Sequence, residues 1–195
     1  MMTDCGLPGI SRIPYGVHMC TFYRTRDELA AALVPYFVAG LRANERCIWI
    51  TAEPLRAKDA LAELRAAGFD AAPYLECGAL VVRDFSDWYA EAGQLKGSDV
   101  VKLWLGEEAR ALADGYAGLR ITGNVTFLGG GADWRLFMDY EELVNRSFVG
   151  RRIVTLCSYQ RGEHPGACGA AELYDVMQRH NCTLDRPDEG WQILT

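Results

Sequence analysis

Residues 18–41 read HMCTFYRTRDELAAALVPYFVAGL, and this stretch decides the fold. Its first six residues form a short apolar run that predicts a strand. Thr25 and Glu28 have the spacing of a capping box, which predicts that a helix begins there. Apolar side chains then recur at helical spacing up to Leu41, although Pro35 is expected to kink this helix or remove one hydrogen bond. The stretch therefore predicts a strand that passes directly into a helix.

The same alternation of strand and helix continues along the chain. Further strands are predicted at residues 46–52, 80–85, 119–128, 152–159 and 191–194. Further helices are predicted at residues 54–67, 100–113, 133–148 and 167–180. No repeat or linker divides the 195 residues, a length that is ordinary for one domain. The pattern predicts an α/β domain with a mostly parallel sheet covered by helices.

Composition and charge exclude several classes of protein. The chain is 50% hydrophobic and 24% charged, which excludes a mostly disordered protein. Its 20 Lys and Arg against 26 Asp and Glu give a net charge of −6 without a basic cluster, so we expect no direct contact with nucleic acid. No apolar run approaches the length of about 20 residues that spans a bilayer, and the N-terminus has no signal sequence. We therefore expect a soluble, cytoplasmic protein with no membrane partner.

The cysteine content indicates a reducing environment. Seven cysteines are an odd number, and the chain carries no secretion signal. We therefore expect reduced thiols rather than a disulfide framework. No CxxC motif supports a zinc ribbon, and most of the thiols are interpreted as small buried hydrophobic residues.

The phosphate-binding motifs of nucleotide enzymes are absent from the sequence. Neither GxxxxGK[ST] nor GxGxxG occurs, and the turn YRTRD at residues 23–27 has no glycine that would let backbone amides surround a phosphate. GxSxG, the usual nucleophile motif of α/β-hydrolases, is also absent. These absences disfavour ATP hydrolysis, dinucleotide chemistry and serine hydrolase activity.

Histidine and cysteine side chains provide the first candidate site. Strand alternation places His18 and Cys20 on one face of the first strand. Together they can line a pocket or bind a soft metal ion, or they can simply pack in the core. Cys157 lies in another apolar strand and is a third candidate for the same centre. His180, at the end of the last predicted helix, is explained by a favourable interaction with the helix dipole.

Further candidates come from the ends of strands and from charges in apolar segments. Ligands of open α/β sheets bind beyond the carboxyl ends of the strands, where Tyr23, Glu53 and Tyr159 are expected. Glu53 is either a catalytic acid, as in ATPases of this topology, or a carboxylate that the dipole of the next helix favours. Arg120 and Glu141 lie in apolar or packed segments, and we expect them to form a buried ion pair, since an unpaired buried charge is costly.

Several segments, taken in order, resemble the MEDS domain, the methanogen/methylotroph DcmR sensory domain. They are GVHMCTFY at 16–23, FVAGL at 37–41, ERCIWI at 45–50, LRITGNVT at 119–126, YE at 140–141 with Asn145, and LCSY at 156–159. The resemblance covers about residues 14–195 and leaves residues 1–13 as an N-terminal extension. It implies a three-layer RecA/KaiC-like α/β fold that has lost its nucleotide loop, in agreement with the missing phosphate motifs.

The resemblance also implies a sensory role, with small organic molecules such as hydrocarbon derivatives as signals. The positions that match the family's characteristic polar residues are candidate ligand-binding residues: His18, Cys20, Tyr23, Glu53, Arg120, Glu141, Asn145, Cys157 and Tyr159. Such domains are often attached to a histidine kinase or a DNA-binding module, so we expect a histidine kinase or transcription regulator as partner. We therefore predict a non-catalytic sensor that binds a small organic ligand or a metal. A degenerate RecA-like ATPase and a docking scaffold are the alternatives.

Overall fold

A seven-stranded sheet forms the centre of the molecule. The computed structural model describes residues 1–85, 97–125, 132–162, 167–187 and 190–195. Its strands are β1 (Met2–Asp4), β2 (Arg12–Pro14), β3 (His18–Tyr23), β4 (Arg46–Thr51), β5 (Leu80–Asp84), β6 (Leu119–Val125), β7 (Ile153–Gln160), β8 (Cys182–Asp185) and β9 (Gln192–Leu194). Its helices are α1 (Arg26–Arg42), α2 (Ala57–Ala66), α3 (Ala72–Glu76), α4 (Gly97–Ala113), α5 (Ala132–Ser147) and α6 (Ala170–Arg179).

The strand order of the sheet is β5-β4-β6-β7-β3-β8-β9. Every neighbouring pair is parallel except β8 with β9, which is antiparallel. β1 and β2 form a separate antiparallel pair. β7 lies between β6 and β3, so that Cys157 is opposite Gly123 on one side and Cys20 on the other.

Alternate residues of the central strands face two different layers of helices. In β4, Cys47 and Trp49 belong to the core that includes α1 and α2. Ile48 and Ile50 alternate with these two residues along the strand and belong to the core that includes α4 and α5. The predicted architecture, a mostly parallel sheet with helices on both faces, is confirmed.

The connection from β3 to α1 is short and contains no glycine. It consists of Arg24 and Thr25, and the Thr25 hydroxyl accepts a hydrogen bond from the Glu28 amide at 3.2 Å. The predicted helix cap is therefore confirmed, since this bond satisfies an amide that the first turn leaves without a helical partner. Helix α1 continues through Pro35 to Arg42.

The elements that the sequence did not predict are short. They are β1, β2, α3 and β8, which have three to five residues each, too few to show a clear periodicity. The strand predicted at 119–128 is β6 as far as Val125, and its last three positions lie outside the described residues. Residues of the predicted N-terminal extension, including Cys5, Leu7 and Ile10, are buried in the main core. Within the described ranges, no helix has both the length and the apolar character needed to cross a membrane.

Candidate functional site

Four buried side chains from four parts of the chain meet between the sheet and α5. His18 begins β3, Glu141 lies in α5, Cys157 lies in β7, and His180 directly follows α6. Nε2 of His18 lies 3.0 Å from Oε2 of Glu141 and 3.4 Å from Sγ of Cys157. The same carboxylate oxygen lies 3.6 Å from Nε2 of His180 and 4.0 Å from Sγ of Cys157. These four residues are called the His/Glu/Cys cluster below.

Strand pairing positions the two cluster residues of the sheet. β3 and β7 are parallel neighbours in which His18 is opposite Thr155 and Cys20 is opposite Cys157. Side chains at every second position share a face, so His18 and Cys157 lie on the same face of adjacent strands. The structure thus brings His18 and Cys157, two of the three candidates for one centre, onto adjacent strands.

Helix packing supplies the other two cluster residues. Glu141 belongs to the buried stripe of α5, which also contains Trp134, Met138, Val144 and Phe148 just beyond the helix end. Helix α6 packs against α5, where Trp134 Nε1 donates to Asp175 Oδ2 at 3.4 Å. This packing brings His180, which follows α6, against Glu141.

Burial governs the electrostatics of the cluster. The pKa of His18 is lowered to about 3 by burial. That of His180 is also lowered to about 3, by burial and by the neighbouring His18. Burial raises the pKa of the Glu141 carboxyl. Burial also raises the pKa of the Cys157 thiol, and the neighbouring Glu141 raises it further. Burial therefore favours the uncharged form of each of these groups.

An apolar cavity of about 60 Å³ adjoins the cluster. Glu141 and Cys157 lie in its wall together with Ile50, Phe85, Trp104, Ile121, Thr122, Gly123, Phe137, Tyr140, Val144, Phe148 and Thr155. The Thr122 hydroxyl donates to the Leu156 carbonyl at 2.6 Å. Among the described residues, the buried Thr155 hydroxyl has no hydrogen-bond partner. Apolar walls with a few polar groups are typical of sites for small organic ligands.

Two further candidates from the sequence lie beside the cluster. The Tyr159 hydroxyl is 3.5 Å from Nε2 of His180. Cys20 Sγ lies 3.3 Å from the Thr183 hydroxyl and 3.8 Å from the Cys182 carbonyl oxygen. Cys20 therefore adjoins Cys157 on the next strand, and its thiol contacts β8.

Three candidates lie away from the four cluster atoms. Tyr23 is buried in the core on the opposite face of β3. Glu53 follows β4, and its side chain is 67% exposed and pairs with Arg56 at 2.7 Å. Asn145 is half-buried one turn beyond Glu141 in α5, and its buried Oδ1 has no hydrogen-bond partner within the described part of the chain.

The expected ion pair between Arg120 and Glu141 is wrong. Both residues are buried, but Arg120 Nε donates to Glu45 Oε2 at 2.5 Å. Its guanidinium also donates to the carbonyl oxygens of Tyr36 at 2.8 Å and Asp4 at 2.7 Å. Strand alternation is the physical reason, because Arg120 faces α1 whereas Ile121, its neighbour in β6, faces the layer that contains α5.

The helix dipole alone does not account for His180, although its Nδ1 lies 2.7 Å from the Val176 carbonyl oxygen near the end of α6. Its side chain is fully buried, and its lowered pKa makes the imidazole neutral at physiological pH. A signal for this burial is present in the sequence. Leu173, Val176 and His180 are spaced by three and four residues, which continues one face of α6 past its end.

Comparison with solved structures identifies the fold. The KaiC-like protein PH0186 from the hyperthermophilic archaeon Pyrococcus horikoshii OT3 is similar with a TM-score of 0.62 and 15% identity, over 99% of this chain and 84% of that one. The flagellar accessory protein FlaH from Methanocaldococcus jannaschii is similar with a TM-score of 0.60 and 12% identity, over 91% of this chain and 73% of that one. The predicted RecA/KaiC-like fold is confirmed.

Sequence comparison identifies the family. A search of curated proteins found no match. The family model of the MEDS domain matches residues 17–181, most of the chain and all four residues of the cluster. The resemblance seen in the sequence is thereby confirmed. The chain belongs to the MEDS family, the methanogen/methylotroph DcmR sensory domain.

Proposed function

We propose that this domain is a non-catalytic sensor whose cavity binds a small organic molecule, such as a hydrocarbon derivative. The observation that carries the proposal is the apolar cavity between the sheet and helices α4 and α5, in whose wall the Thr155 hydroxyl has no partner within the described part of the chain. The sensory character of the family agrees with this assignment.

The lining of the cavity suggests the chemistry of its ligand. Trp104, Val144 and Phe148 provide apolar contacts from the helical side. Thr155 provides a hydroxyl that can donate or accept a hydrogen bond, and a buried polar group without a partner is costly. A short hydrocarbon with one polar substituent would fill the apolar space and satisfy Thr155.

The alternative, a degenerate ATPase, has less support. The two residues between β3 and α1 provide no glycine-rich loop for phosphate. Glu53, the candidate catalytic acid, is exposed and paired with Arg56. We therefore assign the domain a binding role rather than a phosphoryl-transfer role.

The signal would pass to a protein partner, for which we propose a histidine kinase or a transcription regulator. Affinity purification of the tagged chain from its own host, with and without added ligand, tests this step. Recovery of such a regulator in a ligand-dependent manner is expected. Direct retention of nucleic acid by the purified chain alone would contradict it.

A matched pair of probes tests ligand binding. Cyclopentanol and cyclopentane have the same ring, and only the alcohol can bond to Thr155. In two-dimensional NMR titrations we expect both probes to shift the amide signals of Ile121 and Gly123, which line the cavity. The alcohol should bind more tightly, because one net hydrogen bond contributes about 0.5–1.5 kcal/mol, or roughly 2- to 12-fold.

The variant Thr155→Val removes the hydroxyl and conserves the shape of the side chain. We expect it to abolish the preference for cyclopentanol and to leave cyclopentane binding unchanged. Thr21→Val is the matched control, since Thr21 donates to the Leu184 carbonyl elsewhere in the sheet. Absence of shifts at the cavity with either probe would contradict the proposed function.

A further inference from the structure

The His/Glu/Cys cluster has the donor types of a zinc site. It offers two imidazole nitrogens, one thiol sulfur and one carboxylate oxygen, all within 4.8 Å of one another. Imidazole, thiolate and carboxylate are the ligands that Zn²⁺ uses in proteins, usually four of them in a tetrahedron. The cluster is buried and contains four such donors, one from each residue.

The distances within the cluster fit a tetrahedron. Metal–ligand bonds of about 2.0–2.3 Å place tetrahedral ligands roughly 3.3–3.8 Å apart. Four of the six distances between the donors are 3.0 Å, 3.4 Å, 3.6 Å and 4.0 Å, and all six are within 4.8 Å. Small shifts of these side chains would therefore bring all four donors into bonding distance of one ion.

Charge balance favours a divalent cation at this position. A metal-bound cysteine is a thiolate and a metal-bound glutamate is a carboxylate. Two negative charges and two neutral imidazoles around a divalent cation sum to zero. An electrically neutral group of this kind avoids the cost of burying an uncompensated charge.

One of the imidazoles is already oriented for metal binding. Nδ1 of His180 lies 2.7 Å from the carbonyl oxygen of Val176. A proton donated from Nδ1 to this oxygen leaves the lone pair of Nε2 directed at Glu141 and free to bind a metal. Fixing the tautomer of a ligating histidine through its other nitrogen is a general feature of metal sites.

The cavity borders the cluster. Glu141 and Cys157 lie in the cavity wall, so two of the four cluster residues adjoin it. His18 and His180 lie behind them, with their ring centroids 4.0 Å apart.

We propose that His18, Glu141, Cys157 and His180 bind one divalent transition-metal ion, with Zn²⁺ as the best fit. With four protein ligands the site is closed, which is typical of structural rather than catalytic zinc. The bound ion would join β3, α5, β7 and the end of α6 beside the ligand cavity. The proposal goes beyond the organic-ligand function and does not depend on it.

Cobalt substitution tests the proposal on the full chain. After chelator treatment, titration with Co²⁺ should saturate at one ion per chain. It should produce the strong visible absorption of four-coordinate cobalt and a thiolate-to-cobalt charge-transfer band. Added Zn²⁺ should displace Co²⁺, remove these bands and raise the melting temperature, because a ligand that binds only the folded state stabilises it. A wild-type chain that binds neither ion at micromolar concentration would overturn the proposal.

Two cysteine variants identify the sulfur ligand. Cys157→Ser should lose the charge-transfer band, whereas Cys47→Ser, which removes a buried thiol on the other face of the sheet, should keep it. A charge-transfer band that persists in Cys157→Ser would contradict the assignment.

His180→Ala should weaken Co²⁺ binding by more than about 100-fold, since even outer partners of metal ligands contribute about 10- to 100-fold. If a variant does not fold, the wild-type titration decides the question.

The organic-ligand function and the metal site can be contradicted independently of each other. Metal-loaded protein that does not bind cyclopentanol or cyclopentane would contradict the organic-ligand function and leave the metal site intact. Protein that binds these probes but neither Co²⁺ nor Zn²⁺ would contradict the metal site alone.

Discussion

Cys157 Sγ lies 3.4 Å from His18 Nε2, although 139 residues separate the two in the sequence. Parallel pairing of β3 with β7 brings them together, and the same face of the sheet then receives Glu141 from α5 and His180 from the end of α6. Three of the four donors thus lie on regular elements of the core, and the fourth directly follows α6. Sites of this kind hold their donors in place more firmly than sites on loops.

Arg120 and Glu45 should be strongly coupled in stability measurements. Removing one partner of a buried pair leaves an uncompensated charge and costs about 3–5 kcal/mol. We therefore expect Arg120→Met to lower the free energy of unfolding by that amount in urea denaturation. A double-mutant cycle with Glu45→Gln should show a coupling energy of at least about 1 kcal/mol.

A double-mutant cycle of Arg120→Met with Glu141→Gln is the control for the cycle with Glu45→Gln. Arg120 and Glu141 face different layers, so their effects should add to within about 0.5 kcal/mol. Strong coupling of Arg120 to Glu141, or additivity of Arg120 and Glu45, would contradict the observed pairing.

Substitution of Gly40 should destabilise the protein, because the side chain of Arg120 occupies the space next to it. A Cβ at this position in α1 would lie 2.5 Å from Cδ and Nε of Arg120 and 2.9 Å from Sγ of Cys47. Gly40→Ala should therefore lower the melting temperature, because crowding a packed core costs about 1–3 kcal/mol.

Gly106→Ala in α4 is the matched control, since no described residue beyond its chain neighbours and the backbone of its own helix lies within 4 Å of the Cβ it would add. Alanine is a better helix former than glycine by about 0.5–1 kcal/mol, so this variant should be more stable than the wild type. Equal effects of the two substitutions would show that the contact with Arg120 does not limit position 40.

Replacement by valine should destabilise the protein at Thr21 but not at Thr155. The Thr21 hydroxyl donates to the Leu184 carbonyl at 2.8 Å, and its loss should cost about 1 kcal/mol of stability. The Thr155 hydroxyl is buried and has no hydrogen-bond partner among the described residues, so Thr155→Val should leave the stability of the ligand-free protein unchanged or raise it. A similar loss in both variants would indicate that Thr155 already has a partner in solution.

ATP hydrolysis should not exceed background. The connection of Arg24 and Thr25 between β3 and α1 offers neither the glycine-rich loop nor the lysine that stabilises a transferring phosphate. A coupled phosphate-release assay on the purified monomer should show no turnover. A rate of about 1 per second, the low end for ordinary enzymes, would support the ATPase alternative. So would micromolar binding of Mg-ATP in calorimetry that is lost in Glu53→Ala.

Much of the fold can be predicted from local patterns. The strand at 18–23 and the capping of α1 by Thr25 follow from contacts between residues that are close in the sequence. The shared face of His18 and Cys20 follows from the two-residue period of a strand. The apolar or packed segments around Glu141 and Cys157, together with the family resemblance, made these two residues candidates for the site.

Strand order and helix packing decided which of these residues meet. Local sequence patterns do not determine the strand order, in which β7 lies between β6 and β3. They also do not determine which layer of helices Arg120 of β6 faces. Arg120 therefore has Glu45 as its partner, and Glu141 has His18 and His180. His180 became part of the cluster only because α6 packs on α5 and buries the residue that follows it. The sequence by itself determined the longer elements and which residues of an element share a face, since backbone geometry sets both within a few residues. The tertiary structure alone decided the cluster, because burying apolar surface between distant segments chooses their neighbours.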